Sequence, residues 1–414
     1  MQFLYNIFIG LFIFGMKILA LFNDKAKRGI LGRKESESTV KSSFKPSDEI
    51  IWMHASSLGE YEQGLPVIEK LKEKFPSHKI LITLFSPSGY ENVIKKKHIA
   101  DAVCYLPFDT KNDVEQFLSG INVKIFFTVK YDFWYNLLSA LKQSNAKVFV
   151  ISALFYENQN YFTSLGKWPV KMLRENIDWF FHQTERSFRL AKSVGLRNGS
   201  VTGDTRFDRV KFLRNQNHDI EFINDFAAGK KVAVFGSSWH AEENIAEILA
   251  KKNKNVKIII APHDLKRVEN LKHIFPEALL YSELKSLDSS KISTSQILII
   301  DSIGLLSRLY SYADIAIVGG GFHASGLHNI LEAATFGAPV FFGNQYRKNP
   351  EADALIEARG GKSFEDEEYA ANFICSLFDH EELLQEMSEN AEDFVTSQPN
   401  SSELIVEKIL RYEK

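Results

Sequence analysis

Residues 318–343 read VGGGFHASGLHNILEAATFGAPVFFG, and their types and spacing suit an anionic ligand. An apolar, β-branched run at 315–318 has the pattern of a buried strand. Gly319, Gly320 and Gly321 end it with backbone that bends freely and lets a ligand approach closely. Gly326 then precedes a helical pattern in which Ile330, Leu331, Ala334 and Phe336 share a face. Gly337 is placed to stop that helix, and Pro339 follows. A glycine turn that delivers a helix N-terminus beside strand ends is an anion site, because unpaired N–H groups and the helix dipole face the ligand. Glu332, about one turn in, is placed to accept hydrogen bonds from sugar hydroxyls. Together these residues point to a nucleotide-sugar site. They also leave a second reading open, in which the turn is a generic α/β connection and Glu332 a solvated helix residue. No G-x-G-x-x-G fingerprint follows a strand here and no phosphate-loop pattern occurs.

A second carboxylate lies far upstream. After a strand-like run at 50–54 comes Ala55-Ser56-Ser57-Leu58-Gly59-Glu60, a short Gly/Ser turn with Glu60 opening the next helix. A carboxylate there can take a proton from an acceptor hydroxyl. The helix dipole by itself also favours Glu in a first turn, so both roles stand at this level. His240, His323 and His328 lie near the glycine region and read as hydrogen-bonding or structural histidines rather than bases.

The elements that must position these groups alternate. Strand-like runs at 50–54, 79–85, 103–106, 123–129, 147–152 and 179–182 are separated by helical patterns at 63–75, 88–97, 110–118, 133–143, 168–176 and 185–194, and 198–201 leads into Gly203-Asp204. The pattern resets after Gly203-Asp204. Strands follow at 231–236, 257–261, 297–300, 315–318 and 340–342, with helices at 241–251, 264–274, 303–313, 366–378, 381–396 and 401–411. Such alternation implies α/β architecture with parallel, doubly wound sheets. Ligands in such sheets bind at the carboxyl ends of the strands. Two similar domains joined near 210–228 are expected to face each other across a cleft, one holding a nucleotide and the other an acceptor.

A chain of 414 residues is too long for one ordinary core. It is 45% hydrophobic and 25% charged, as a globular protein is. A formal net charge of -2 argues against general nucleic-acid binding. The two cysteines, Cys104 and Cys375, lie far apart among apolar residues and read as buried free thiols of a reducing compartment. No zinc-type spacing occurs.

Residues 3–22 are about the length that spans a bilayer and carry one charge, Lys17, near their end. Lys25, Lys27, Arg28, Arg33 and Lys34 follow, and such a cluster places that side in the cytoplasm. A cleaved signal peptide lacks its small-x-small site here. A helix inserted in one leaflet stays open beside a spanning one. Residues 35–48 read as a polar linker. The expected organisation is an anchor helix at 1–24, a first Rossmann-like domain at 45–212, a second at 225–398 and a terminal helix at 399–414.

Several blocks occur in one order: Trp52-Met53-His54-Ala55-Ser56-Ser57-Leu58-Gly59-Glu60, Gly203-Asp204-Thr205-Arg206-Phe207-Asp208, Gly236-Ser237-Ser238, Pro262-His263, and Gly326-Leu327-His328-Asn329-Ile330-Leu331-Glu332-Ala333. With the apolar N-terminus before them, they make the whole chain resemble the 3-deoxy-D-manno-octulosonic acid (Kdo) transferases of lipopolysaccharide synthesis. The resemblance implies a GT-B glycosyltransferase fold. It implies inverting transfer of Kdo from CMP-Kdo to a lipid A precursor (lipid IVA) at the cytoplasmic face of the inner membrane, with no cofactor and no catalytic metal. Glu60 matches the general base. Glu332 matches a ribose-contacting carboxylate, and Asn329 with the N–H groups of the helix it opens matches the phosphate site. Ser237, Ser238, Pro262, His263, Gly320, Gly326 and His328 are expected to line the donor pocket. Ser57, Gly59, Lys130 and Arg206 are expected around the acceptor, with Arg209 a further basic candidate. No Asp-x-Asp motif appears, in keeping with a metal-free reaction. The chain departs from the family where Glu-x-Glu-Leu-Trp-Pro-Asn becomes Lys130-Tyr131-Asp132-Phe133-Trp134-Tyr135-Asn136, and where Pro-Arg-His becomes Ala261-Pro262-His263. Lys266 or Arg267 is then the expected substitute for the missing arginine. The rival readings are a GT-B enzyme using a UDP-sugar and a non-catalytic membrane-tethered scaffold.

Overall fold

Fourteen strands form two parallel sheets of seven, in a computed structural model that describes every residue except Lys96, Ser325, Lys348, Glu413 and Lys414. The expected helices at 88–97 and 401–411 are therefore described apart from Lys96, and the last residues of the 399–414 segment lie outside the described residues. The chain divides into a first unit, Met1–Arg209 with Pro399–Lys414, and a second, Val210–Gln398.

The first unit holds β1 (Glu49–Ala55), β2 (Lys79–Leu84), β3 (Ala102–Tyr105), β4 (Asn122–Val129), β5 (Lys147–Ala153), β6 (Trp179–His182) and β7 (Gly199–Val201). Their order across the sheet is β3-β2-β1-β4-β5-β6-β7. β1 is buried from Ile50 to Ala55, as a strand covered on both faces must be. Trp52 packs on one face with Phe117 and Phe126, while Ile51 and Met53 pack on the other. The strand order reverses between β1 and β4. Both strands therefore release their carboxyl-end loops at one crevice, where doubly wound sheets bind ligands.

The N-terminal stretch holds more helix than its sequence suggests. Residues 24–34 and the expected linker at 35–48 are mostly one helix: α1 (Gln2–Leu19) is followed by α2 (Asp24–Ser43), capped by Asn23, whose side chain accepts from Ala26 N–H at 3.0 Å. The buried stripe of α2 is Ala26, Gly29, Arg33, Ser36 and Val40. That spacing is helical, but small and polar residues carry it, so hydropathy does not reveal it. Gly32 faces β3 so closely that a Cβ would lie 2.2 Å from the Tyr105 ring.

α1 is long and apolar enough to cross a membrane by length and composition. One of its faces rests on the first unit. Tyr5 donates to Asp109 at 2.5 Å, Asn136 donates to Asn6 at 3.1 Å, and Phe12 meets the rings of Phe85 and Trp134. Phe3, Leu4, Phe8, Leu11 and Phe14 are exposed on it.

The helix Ser401–Leu410 belongs to the first unit although the second precedes it in the chain. Asp208 accepts from Ser401 and Ser402 N–H at 3.1 and 3.0 Å, satisfying first-turn donors that no helical carbonyl reaches. Ile405, Val406 and Ile409 share a core with Ile51, Met53 and Val67.

The second unit holds β8 (Val232–Ser238), β9 (Lys257–Pro262), β10 (Leu279–Leu280), β11 (Ile297–Ile299), β12 (Ile315–Val318), β13 (Val340–Gly343) and β14 (Gly361–Phe364), in the order β10-β11-β9-β8-β12-β13-β14. Here the order reverses between β8 and β12. The expected helix at 303–313 is only Leu306–Leu309 and a 3₁₀ turn at Tyr310–Tyr312, because Gly304 sits at φ +91 before it. The expected helix after Gly326 is one turn, Leu331–Ala334, closed by Gly337 at φ +77. β14 and the helix Pro350–Glu357 lie outside the elements expected from the sequence.

Candidate active site

In the first unit, Glu60 stands on the third residue of α3 (Leu58–Lys74), after the loop that leaves β1. Ser57 caps this helix, its hydroxyl accepting from Glu60 N–H at 3.4 Å. Ser56 fixes the carboxylate, donating from its backbone N–H at 2.7 Å and its hydroxyl at 2.5 Å, both to Glu60 Oε2. The carboxylate is thereby oriented through one oxygen, and Glu60 remains only half-buried. Gly59 is exposed beside it and has open space around the position of a Cβ.

The loop after β4 comes to the same crevice. Lys130 adopts φ +64, a left-handed conformation unusual for lysine, and its N–H donates to Ile151 O at 2.9 Å. Tyr131 follows. Partial burial first, then the Glu60 and Asp132 carboxylates, raise its hydroxyl above the ordinary range. Asp132 is held by His54, a fully buried residue of β1, whose Nε2 lies 2.6 Å from Asp132 Oδ2 and whose Nδ1 lies 2.9 Å from Thr83 Oγ1. Tyr131, Asp132 and His54 had no role assigned from the sequence. The clue was present in His54, an ionisable residue inside an otherwise apolar strand.

Arg206 is bound to its neighbour. Its Nε and terminal nitrogen donate to Asp204 Oδ2 at 2.8 and 2.6 Å. Burial alone would raise the Asp204 carboxyl, but Arg206, its backbone N–H and Lys130 outweigh it and hold the group below the usual range. Arg209 pairs with Glu62 at 3.2 Å.

In the second unit the three glycines are closely packed against backbone. A Cβ on Gly319 would lie 2.0 Å from Ser237 O, on Gly320 2.2 Å from Gly326 O, and on Gly321 2.6 Å from Gly343 N. Backbone fills the space that a Cβ would take beside them, so packing by itself requires glycine at all three positions. Gly320 donates its N–H to Glu242 Oε1 at 3.1 Å, and Glu242 Oε2 accepts from Trp239 N–H at 2.9 Å. This buried carboxylate joins the turn after β12 to the helix that follows β8. Gly326 differs: it needs φ +95 and has nothing within 4 Å of a Cβ position.

Beyond it, His328 N–H donates to Gly319 O at 3.1 Å. Asn329 ties the short helix, accepting from Leu331 N–H at 3.2 Å and donating to Glu332 Oε1 at 3.0 Å. Glu332 neighbours the buried Tyr310, whose hydroxyl burial raises far above its ordinary value, with the carboxylate adding to it. The expected helix-dipole anion site is thus reduced to a single turn with its first N–H already engaged.

Aromatic rings line the ends of β8 and β9. His263 stacks on Trp239, centroids 4.4 Å apart and planes 21° apart, and His328 lies 4.8 Å from His263. His323 meets the Trp239 ring at 4.6 Å. Burial first, then His263 and His323, pull the His328 imidazole down to about 4, so it is neutral at physiological pH. Ser237 sits at φ +51, and its neighbour Ser238 has a buried hydroxyl with no partner among the described residues. The same holds for Trp239 Nε1. Buried donors left unmatched cost free energy, and a ligand that supplies acceptors removes that cost. Pro262 ends β9 just before His263. Arg267 is held in a bidentate pair by Glu243, at 2.7 and 2.5 Å, while Lys266 is exposed. His240 pairs with Asn244 on its own helix at 3.0 Å.

Residues 27–209 match the family described as 3-deoxy-D-manno-octulosonic-acid transferase (kdotransferase). The chain is 27% identical over 327 residues to the 3-deoxy-D-manno-octulosonic acid transferase of Aquifex aeolicus, covering 77% of this chain and 83% of that one. It is 30% identical over 321 residues to a bifunctional glycosyltransferase/methyltransferase of Fusobacterium nucleatum, covering 73% of this chain and 48% of the relative. The chain thus spans about half the length of that protein. Among solved structures, the UDP-GlcNAc 2-epimerase of Neisseria meningitidis bound to UDP-GlcNAc aligns with a TM-score of 0.60 at 19% identity, covering 88% of this chain and 100% of that one. This likeness concerns the fold, which is of the GT-B type expected from the sequence. Over residues 27–209 the chain is thus similar to the kdotransferase family, and over 77% of its length to a 3-deoxy-D-manno-octulosonic acid transferase.

Proposed function

We propose that the protein transfers Kdo from CMP-Kdo to a hydroxyl of a lipid A precursor, with inversion and with Glu60 as general base. The observation that carries this reading is the placement of Glu60. Its carboxylate stands at the carboxyl end of β1, at the reversal of strand order, with one oxygen anchored by Ser56 and the residue half-exposed. As the acceptor oxygen attacks the anomeric carbon, its proton passes to Glu60. The bond from that carbon to the phosphate oxygen breaks, and the electron pair leaves with CMP. A positioned base contributes roughly 10²–10⁴-fold to such a step.

The second unit supplies the donor side of the proposal. The Trp239 and His263 rings offer a stacking surface, Ser237 and Ser238 hydrogen-bonding groups, and Asn329 and Glu332 partners for ribose and phosphate. Gly320 and Pro262 act through the turns they shape, and Gly326 through the open space beside it. Lys266 is the cation left for donor phosphate, since Arg267 is taken by Glu243. Around the acceptor, Lys130 and Tyr131 stand beside Glu60's crevice with Ser57 and Gly59, and Arg206 acts through Asp204. α1 holds the enzyme at the cytoplasmic face of the inner membrane.

The test is an assay of purified full-length protein with CMP-Kdo and a lipid A precursor, read by mass spectrometry of the product. A mass increase of one or more Kdo units is expected, with none from UDP-sugars. Product formed only from a UDP-sugar overturns the donor assignment. Undiminished Kdo transfer by Glu60→Gln overturns the base.

A further inference from the structure

A cavity of about 270 Å³ lies in the first unit between α1, α2 and the segment that follows β3. Its lining shares no residue with the loops at 55–60 and 130–132 around Glu60. Ile13 of α1, Ile30 of α2, Phe108 and Phe117 form its apolar lining. Lys17, Lys34 and Arg33 add three cations. Two carboxylates also line it. Glu37 is paired with Lys41 at 2.6 Å, while Asp113 sits in the first turn of the helix Lys111–Leu118, where the dipole favours it. Three cations against one carboxylate without a cationic partner among the described residues leave the lining positive.

Arg33 is the unusual member. It is 7% exposed. It donates to Gly29 O and Phe85 O, both at 2.8 Å, and its guanidinium lies over the Phe85 and Phe108 rings at 4.3 and 5.0 Å. No carboxylate pairs with it among the described residues, and its Nε–H has no acceptor there. A buried cation is ordinarily compensated by an anion, and a buried donor by an acceptor. Here both needs are open in a residue that lines a cavity.

We propose that this cavity binds an anionic phospholipid, its phosphate at Arg33 Nε–H and the Lys17 and Lys34 ammonium groups, one acyl chain along Ile13, Ile30 and Phe117. Charge complementarity selects the headgroup, and the apolar lining selects a chain over a free anion. The helix that walls the cavity carries Leu11, Phe14 and Ile18 exposed, an apolar surface that a bilayer covers. Entry from a bilayer rests on the membrane reading of α1 given above. The bound lipid would clamp α1 to α2 and so keep the enzyme's orientation at the membrane.

The experiment titrates purified full-length protein in nonionic detergent with a short-chain, spin-labelled phosphatidylglycerol. Saturable binding of one lipid is expected. Phosphatidylcholine with the same chains should bind at least fivefold more weakly, and millimolar inorganic phosphate should not displace the lipid. Ile30→Trp, which fills the cavity, should weaken binding at least tenfold, and Lys17→Gln with Lys34→Gln about fivefold. If Ile30→Trp fails to fold by circular dichroism, Ile13→Trp from the opposite wall gives the same readout. Equal binding by the filled variant, equal affinity for phosphatidylcholine, or displacement by one equivalent of lipid A precursor overturns the proposal. Sedimentation with zwitterionic vesicles tests the membrane reading separately. Failure there with lipid binding intact overturns α1's membrane role and not the cavity.

Discussion

Glu60 is held on one side and open on the other, which is what a base needs: orientation without consumption of its proton-accepting capacity. Glu60→Gln keeps the shape and most hydrogen bonds while removing basicity, so kcat should fall by roughly 10²–10⁴-fold with CMP affinity unchanged, measured by initial rates and calorimetry. The glycines separate by physical cause. Gly326→Ala meets open space and bears only the left-handed backbone penalty, roughly 1–3 kcal/mol in a urea melt. Gly320→Ala adds a Cβ 2.2 Å from Gly326 O and should leave no soluble folded protein. His182 is a titration probe. Burial lowers its pKa to about 4, so folding keeps it neutral while the unfolded chain protonates near 6.5. Its share of stability is complete above about 6.5 and declines as pH falls toward about 4. Unfolding free energy measured between pH 7 and 4 should therefore lose part of its slope in His182→Gln. The place of Glu60, opening a helix after a Gly/Ser turn, was legible in the sequence. The pairs His54 with Asp132 and Glu242 with Gly320 were not, because such partners are chosen by folding across 78 residues of chain.

At the scale of elements, strands were easier to read than helices. β1, β4 and β12 announce themselves because burial on both faces demands continuous apolar runs. α2 does not, because its packing face is Ala26, Gly29, Arg33, Ser36 and Val40, selected for closeness and hydrogen bonding rather than hydrophobicity. Gly32→Leu should test this directly. The added side chain enters the space of the Tyr105 ring, and overpacking of this kind costs about 1–3 kcal/mol in a denaturant titration. The helix after Gly326 shows the opposite error. Its hydrophobic spacing extends over residues 330–336, but the chain turns after one α-helical turn because Gly337 and Pro339 must return it to β13. Non-glycine residues with positive φ also gather at strand ends, at Lys130, Ser152 and Ser237. Such strain is kept where a loop must present particular groups.

For the whole molecule, the first unit is discontinuous. Its last helix returns after nearly two hundred intervening residues, and Ile405, Val406 and Ile409 complete the core beneath β1, each contributing roughly 1.5–3 kcal/mol by burial. Truncation after Gln398 should therefore destabilise the first unit, seen as loss of amide protection in β1 and β4 by hydrogen exchange, while β8 and β12 keep theirs. Alternating α/β patterning and the Ser56–Glu60 turn were determined by sequence alone, because local periodicity and turn chemistry act over a few residues. Only the tertiary structure decided the order of strands, and with it which loops share a crevice. It also decided that backbone packs against the triple glycine, that α2 replaces a linker, and that the C-terminal helix joins the first unit. Those outcomes depend on which distant surfaces bury each other, and burial is a property of the folded whole rather than of any stretch of chain.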